Sequence, residues 1–268
     1  MRLGIGSYTY GWAVVGGEGI PGLSACALID RAVELGVGVV QLCDNLPAEM
    51  YEAEMVETIA DHASRRRVSI ELGTRGIHAD HLRRFIQVAR QLHSPILRVV
   101  IDNGSDHPSP EEVVQRLGKV MGDVVDAGIT LAIENHDRFT SAVLADIVRR
   151  LATPNLGICL DTVNSFGALE GPAVVVHTLG PHVVSLHLKD FAVARFPHLQ
   201  GYTIEGRPAG EGMLNIPWLL EELRKFGRDP NAIVELWTPP EPTLRATIDK
   251  ETDWAKRSVT TLRQYITH

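Results

Sequence analysis

A closed barrel of eight parallel strands, each followed by a helix, is the fold this sequence predicts. Two observations lead there. Short apolar runs alternate with amphipathic stretches from one end of the 268 residues to the other, and there are eight of each. No composition break, linker or low-complexity segment divides them, so a single domain over residues 1–268 is expected; barrels of about 250 residues routinely form one unit.

The strand-like runs occupy residues 3–7, 37–43, 68–73, 96–102, 129–135, 156–161, 183–189 and 232–237. The helix-like stretches occupy 24–35, 51–66, 79–92, 110–127, 140–151, 172–179, 216–226 and 248–266. Punctuation agrees with this division. Ser24 and Asn215 precede helices as N-caps, and Gly36, Gly128, Gly180 and Gly227 follow helices as C-caps do. Pro110, Pro172 and Pro217 sit near helix starts, where the missing N–H costs nothing. An open doubly wound sheet would carry a Gly-rich phosphate turn after its first strand. Here that strand runs into Tyr8-Thr9-Tyr10-Gly11-Trp12 instead. Two connections, 9–23 and 191–214, are long, and both follow strand ends on the face where barrels build their sites, so they read as lids or binding loops.

Composition narrows the function classes. Against 26 Lys and Arg stand 33 Asp and Glu, a formal charge of −7, without the basic stripe that nucleic-acid affinity needs. No apolar run reaches the ~18–20 residues of a membrane span, and the first residues lack a signal-peptide pattern. Cys26, Cys43 and Cys159 are an odd, scattered set rather than a disulfide framework, which suits a reducing cytoplasm. The expected partner is a small molecule, with neither nucleic acid nor membrane involved; a homo-oligomer is compatible with the sequence.

The alternation of side chains along the later strands places chemistry at their ends. Ile129, Leu131 and Ile133 alternate with Thr130, Ala132 and Glu134; Leu156, Ile158 and Leu160 alternate with Gly157, Cys159 and Asp161. In the seventh run Val184, Leu186 and Leu188 alternate with Val183, Ser185, His187 and Lys189. If the branched sets face the helices, Glu134, Asp161 and His187 point inward at the barrel mouth, and Glu235 joins them from the eighth strand. Three carboxylates in so confined a place repel unless a cation neutralises them. Oxygen-rich ligation with one imidazole suits Mn²⁺ or Mg²⁺ first, and Zn²⁺, Co²⁺ or Fe²⁺ as well.

These residues carry a resemblance. Ile133-Glu134-Asn135-His136, Leu160-Asp161-Thr162-Val163-Asn164, Leu186-His187-Leu188-Lys189-Asp190, and Gly210-Glu211-Gly212 leading to Val234-Glu235-Leu236 follow in that order. In order and strand placement the chain is similar to the xylose-isomerase-like TIM barrels, which include sugar phosphate isomerases and epimerases and endonuclease IV. The resemblance implies one divalent metal held by Glu134, Asp161, His187 and Glu235. In the family's ketose epimerases the two matching glutamates also move the proton on opposite faces of the substrate. A metal chelated by a carbonyl and the adjacent hydroxyl acidifies the intervening C–H, and a neighbouring carboxylate takes or returns the proton. The enediolate so formed leads to an epimer, an isomer or, with a β-leaving group, a dehydrated product.

The chain departs from the ketose 3-epimerase pattern twice. Asn164 stands where those enzymes usually have a substrate-binding His, and Val193 where they usually have Arg. His136, in the inward phase of Glu134, is a further candidate base. Asn164, Lys189, Arg207, Trp12 and Trp237 are candidate substrate contacts, with Phe166 a further aromatic wall. Gln41, Glu71 and Arg98 are inward on the early strands, and Glu71 and Arg98 are expected to neutralise each other. Phosphate is not expected to be the main handle, because Thr238-Pro239-Pro240-Glu241-Pro242 after the last strand offers few free N–H groups.

The leading expectation is therefore a divalent-metal-dependent isomerase or epimerase of a carbohydrate or related keto or hydroxy compound. A carbon–oxygen lyase or dehydratase on a keto-glycoside or hydroxylated acid is the alternative. An endonuclease IV-like nuclease ranks third, since a second set of histidines on the early strands is missing, and a non-catalytic sugar-binding barrel ranks last.

Overall fold

The computed structural model describes residues 1–266. Eight parallel strands close into a barrel: β1 (Leu3–Gly6), β2 (Val39–Leu42), β3 (Ser69–Arg75), β4 (Ile96–Val100), β5 (Thr130–Glu134), β6 (Leu156–Asp161), β7 (Val183–Leu188) and, after a hairpin, β10 (Asn231–Val234). β10 pairs with both β7 and β1, which closes the ring. Each of the eight runs read from the sequence overlaps one of these strands, β3 running two residues past its run to Arg75 and β10 starting one residue earlier at Asn231.

The outer ring comprises α2 (Ala25–Leu35), α3 (Ala53–Arg66), α4 (Ala79–Gln91), α5 (Pro110–Gly118), α6 (Met121–Asp126), α7 (Ser141–Leu151), α8 (Pro172–Leu179), α9 (Ile216–Lys225) and α10 (Leu244–Leu262); a short helix, α1 (Gly11–Val15), precedes them. Ser24 and Asn215 cap α2 and α9 through their side-chain oxygens, at 3.2 and 3.1 Å from the N–H nitrogens of Ala27 and Trp218. The main apolar core lies between strands and helices, where Leu131, Ile133, Ile158, Leu160, Leu186 and Leu188 are all buried. A second, small cluster of Ile96, Ala132, Cys159 and Val184 lies in the barrel interior. Gly4 makes room there: a Cβ at that position would come within 2.8 Å of the Ile233 side chain.

Four expectations are corrected. The stretch 110–127 is two helices, α5 and α6, because Gly118 and Gly122 weaken the helix at its middle and the buried Val120 turns the chain inward. The last helix begins at Leu244, capped by Thr243, and ends at Leu262. The connection 191–214 is largely a two-stranded antiparallel hairpin, β8 (Asp190–Arg195) and β9 (Tyr202–Arg207), whose Ile204, Glu205 and Gly206 line a cavity together with Tyr8 and Trp237. Finally, the pairing of β6 with β7 skips Val184 between Val183 and Ser185. This bulge turns Val183 to the outer core and Val184 to the interior, reversing the expected sides of both while leaving Ser185 and His187 inward.

Candidate active site

The site is built from strand ends. Asp161 and His187 are level partners across β6 and β7, and Glu134 closes β5. Glu235 follows β10, where its N–H donates to the Leu188 carbonyl at 3.1 Å. All four side chains are at most 3 % exposed. The His187 Nδ1 lies 3.5 Å from Glu134 Oε2, 3.8 Å from Asp161 Oδ2 and 3.3 Å from Glu235 Oε1.

Each carboxylate is tethered at one oxygen and turns the other toward His187. Glu134 Oε1 accepts from Asn164 Nδ2 at 2.7 Å, and Asp161 Oδ1 accepts the N–H groups of Val163 and Asn164, both at 2.9 Å. Glu235 Oε2 is 2.8 Å from Lys189 Nζ. The remaining oxygens, Glu134 Oε2, Asp161 Oδ2 and Glu235 Oε1, are buried without an aligned hydrogen bond, as is His187 Nδ1. Glu134 Oε2 and Asp161 Oδ2 meet the charges of Arg98 and Lys189, and all three oxygens face His187 Nδ1. His187 is shared by two groups close enough to hold a metal ion, Asp161–His187–Glu235 and Glu134–Cys159–His187; carboxylate oxygens with an imidazole nitrogen suit a divalent cation, and the residues fit that group.

Cations ring the carboxylates. Lys189 Nζ also lies 2.8 Å from Asp161 Oδ2. Arg98, 2 % exposed, brings Nε to 2.5 Å from Glu134 Oε2 and NH1 to 2.8 Å from Asp44 Oδ1. Asp44 Oδ2 in turn takes Arg75 Nε at 3.0 Å and the Tyr8 hydroxyl at 3.2 Å. Burial pushes Glu134 up, but the charges of Arg98, His187 and Lys189 outweigh it and hold the carboxyl well below the usual range. Burial likewise pulls Lys189 down, and Asp161 and Glu235 overcome it, so the ammonium stays charged. Asp44 is held low against its burial by Arg98 and Arg75.

The expected pairing of Glu71 with Arg98 is therefore wrong. In register Arg98 faces Gly73, one inward layer above Glu71, so its long side chain rises to Glu134 and Asp44. Glu71 lies level with Gln41 and bonds to it.

A cavity of about 130 Å³ reaches Glu134 and Glu235 and is lined also by Tyr8, Arg75, Arg98, His136, Asn164, Lys189 and Trp237. His136 Nδ1 is 2.8 Å from Asp137 Oδ2 at its rim. Trp12 is one step removed: it lines an adjoining cavity of about 450 Å³ that shares Tyr8, Leu236 and Trp237 with the first. Phe166 packs edge-on against Phe191, ring centroids 4.8 Å apart. Arg207 is not brought in; it lies on the hairpin with its NH1 3.3 Å from Glu205 and 2.7 Å from the Gly206 carbonyl. Sequence reasoning missed Tyr8, Asp44 and Arg75. Each lies at or just beyond the end of an early strand, the same signal that marked Glu134 and Asp161.

Comparison with known proteins agrees with this architecture. Residues 29–265 match the profile of the xylose isomerase-like TIM barrel family. The chain is 31 % identical over 259 residues to 3-oxo-isoapionate decarboxylase of Pectobacterium atrosepticum, covering 97 % of this chain and 94 % of that protein. Among solved structures, D-psicose 3-epimerase of Clostridium cellulolyticum H10, with D-tagatose, superposes with a TM-score of 0.74 at 14 % identity, over 99 % of both chains. A xylose isomerase-like barrel of Mycobacterium smegmatis in complex with magnesium gives 0.71 at 11 % identity, over 97 % of each chain. With a closed eight-stranded barrel, a mouth built on the ends of its later strands and a profile match over most of its length, the chain belongs to the xylose isomerase-like TIM barrel family.

Proposed function

We propose that this barrel is a divalent-metal-dependent lyase that removes the carboxylate of a 3-oxo sugar acid through an enolate. The observation that carries the proposal is the charge balance of the mouth. Arg75, Arg98 and Lys189 bring three positive charges, and Asp44, Glu134, Asp161 and Glu235 bring four negative ones. A divalent ion turns that deficit of one into an excess of one, which favours a substrate with a single negative charge over a neutral ketose. The relative at 31 % identity, by its name a decarboxylase of a 3-oxo compound, supports the same outcome. This is lyase chemistry, though at a carbon–carbon rather than a carbon–oxygen bond.

Glu134, Asp161, His187 and Glu235 would hold the ion, with Mn²⁺ or Mg²⁺ best suited to the donor set. When bound, it polarises the ketone and offsets the charge that develops on its oxygen. The chain's own residues do the rest. Arg98 and Arg75, clamped by Asp44, orient the anion from the far wall. As the bond to the carboxylate carbon breaks, CO₂ leaves and the electron pair stays on the α-carbon. Lys189, already charged and in the cavity wall, donates the proton that quenches it and is recharged from solvent. Asn164 contributes no ionisable group: it tethers Glu134. Trp237, with Lys189 Nζ 5.8 Å from its ring, shields the mouth from water.

Isomerisation or epimerisation of a keto compound is the second reading, favoured by two glutamates, Glu134 and Glu235, at one locus. One assay separates the two. Protein loaded with Mn²⁺ is given 3-oxo sugar acids and free ketoses in D₂O, and CO₂, deuterium uptake and products are followed. CO₂ release with one deuterium entering the product is expected. Epimerised ketose with no CO₂ from any acid would overturn the proposal in favour of the second reading.

A further inference from the structure

Below the four ligand candidates the barrel axis carries a column of buried polar side chains, unusual in a layer that barrels fill with branched apolar residues. Gln41 on β2 and Glu71 on β3 are level in register and at most 1 % exposed. Hydrogen bonds connect them to the site above and to the barrel floor, and the Ser185 hydroxyl donates to Glu71 Oε2 at 3.5 Å. His187 Nε2 is 2.7 Å from Gln41 Oε1, and Gln41 Nε2 donates to Glu71 Oε2 at 3.1 Å. Asn231 Nδ2 donates to Glu71 Oε1 at 2.7 Å, and the Cys43 thiol is 3.3 Å from Gln41 Oε1.

Donor and acceptor inventory gives this column a direction. A carboxylate only accepts, so Gln41 must present its NH₂ to Glu71. Its carbonyl oxygen then faces His187 and accepts as well. The imidazole nitrogen opposite that oxygen must therefore carry a hydrogen, which leaves the lone pair available for a metal on Nδ1. Nδ1 is the nitrogen that lies 3.3–3.8 Å from one oxygen each of Glu134, Asp161 and Glu235. With Gln41 turned over, its oxygen would face the Glu71 carboxylate in a buried setting, and its NH₂ would demand a lone pair on Nε2. The hydrogen would then move to Nδ1 and block the ligand position.

We infer that Glu71 is a positioning residue which, through Gln41, commits His187 to metal ligation by Nδ1. The inference rests on the metal site proposed above. Outer partners of metal-binding histidines commonly act in this way, and their loss weakens metal binding about 10–100-fold. Here the carboxylate acts at one remove, with an amide relaying the orientation.

The two variants Glu71→Leu and Glu71→Gln separate orientation from simple packing. Leucine removes the acceptor and frees Gln41 to turn over. Glutamine keeps one oxygen for Gln41 and turns its NH₂ to Asn231, whose half-buried amide can present its own oxygen in return. Mn²⁺ affinity is measured by titration at fixed pH. The Nε2–H of His187 is followed by long-range ¹H–¹⁵N correlation in the Mg²⁺-saturated protein. Glu71→Leu is expected to bind Mn²⁺ about 10–100-fold more weakly, with Glu71→Gln restoring most of the affinity and the Nε2–H signal. Gln41→Met, which cuts the relay at its middle, is expected to match the leucine variant and decides the matter if that variant does not fold. Failure of the wild type to bind Mn²⁺ would refute the metal site itself. Tight binding by the wild type with unchanged affinity in Gln41→Met and in folded Glu71→Leu would refute the relay alone. A glutamine variant as weak as the leucine variant would also overturn it, since charge rather than orientation would then be at work.

Discussion

Replacing Arg98 with methionine gives a sharp test of how charge is arranged in the mouth. Arg98 is 2 % exposed and touches Glu134 at 2.5 Å, Asp44 at 2.8 Å and the Thr74 carbonyl at 3.2 Å. Methionine keeps the length and the apolar stem but leaves Glu134 buried beside two other carboxylates. Removing one partner of a buried ion pair costs about 3–5 kcal/mol. At about 2–4 °C per kcal/mol for a chain of this size, the apparent Tm of the variant in chelator should fall by roughly 6–20 °C. A divalent ion supplies Glu134 with a new counter-charge. What remains is the weakened hold on Asp44, which keeps Arg75, and one hydrogen bond to Thr74, together about 1–2 kcal/mol. The metal should therefore stabilise Arg98→Met more than the wild type by about 2–3 kcal/mol, and by linkage bind the variant roughly 30–150-fold more tightly. Thermal scans with chelator and with saturating Mg²⁺, together with Mn²⁺ titration, measure both quantities. Equal deficits with and without metal would refute the reasoning, because Glu134 would then not share the ion.

Further outcomes follow from the same geometry. His187→Ala should lose most of its Mn²⁺ affinity, and wild-type affinity and activity in that variant would remove His187 from the ligand set. Lys189→Met should move metal affinity the other way, since a charge 2.8 Å from both Asp161 and Glu235 is lost, while turnover falls by about 10²-fold or more; unchanged turnover would exclude Lys189 as proton donor. Glu134→Gln and Glu235→Gln should each abolish substrate proton exchange under the isomerase reading, and exchange at wild-type rates in both would leave His136 as the candidate base. Glu251 on α10 is pushed by burial up to about 7, despite accepting the N–H groups of Trp12 and Ala13 at 3.0 and 3.1 Å. The folded protein thus holds a proton that the unfolded chain releases near pH ~4.3, so stability falls as pH rises from there to about 7, by at most roughly 4 kcal/mol. The Tm of the wild type should drop relative to Glu251→Gln between pH 5 and pH 8, and a constant difference would contradict it.

Residue order alone determined the barrel. Eight apolar runs separated by amphipathic stretches leave few ways to bury both, and capping residues such as Ser24 and Asn215 mark where helices begin. Strand alternation also brought out Glu134, Asp161, His187 and Glu235, because side chains two apart must share a face and polar ends on consecutive strands must share a mouth. Pairwise matters were beyond its reach. Whether Arg98 meets Glu71 or Glu134 depends on the stagger between neighbouring strands, which sets Arg98 beside Gly73 rather than Glu71. Whether Val183 or Val184 faces the interior depends on one skipped residue in the pairing of β6 with β7. The hairpin that carries Arg207 away from the mouth, and the Asp44 cluster with Arg75 and Tyr8, likewise join residues far apart in the chain. Local periodicity reports which face a side chain takes; only closure of the barrel fixes the height at which it stands, and height decides which charges meet.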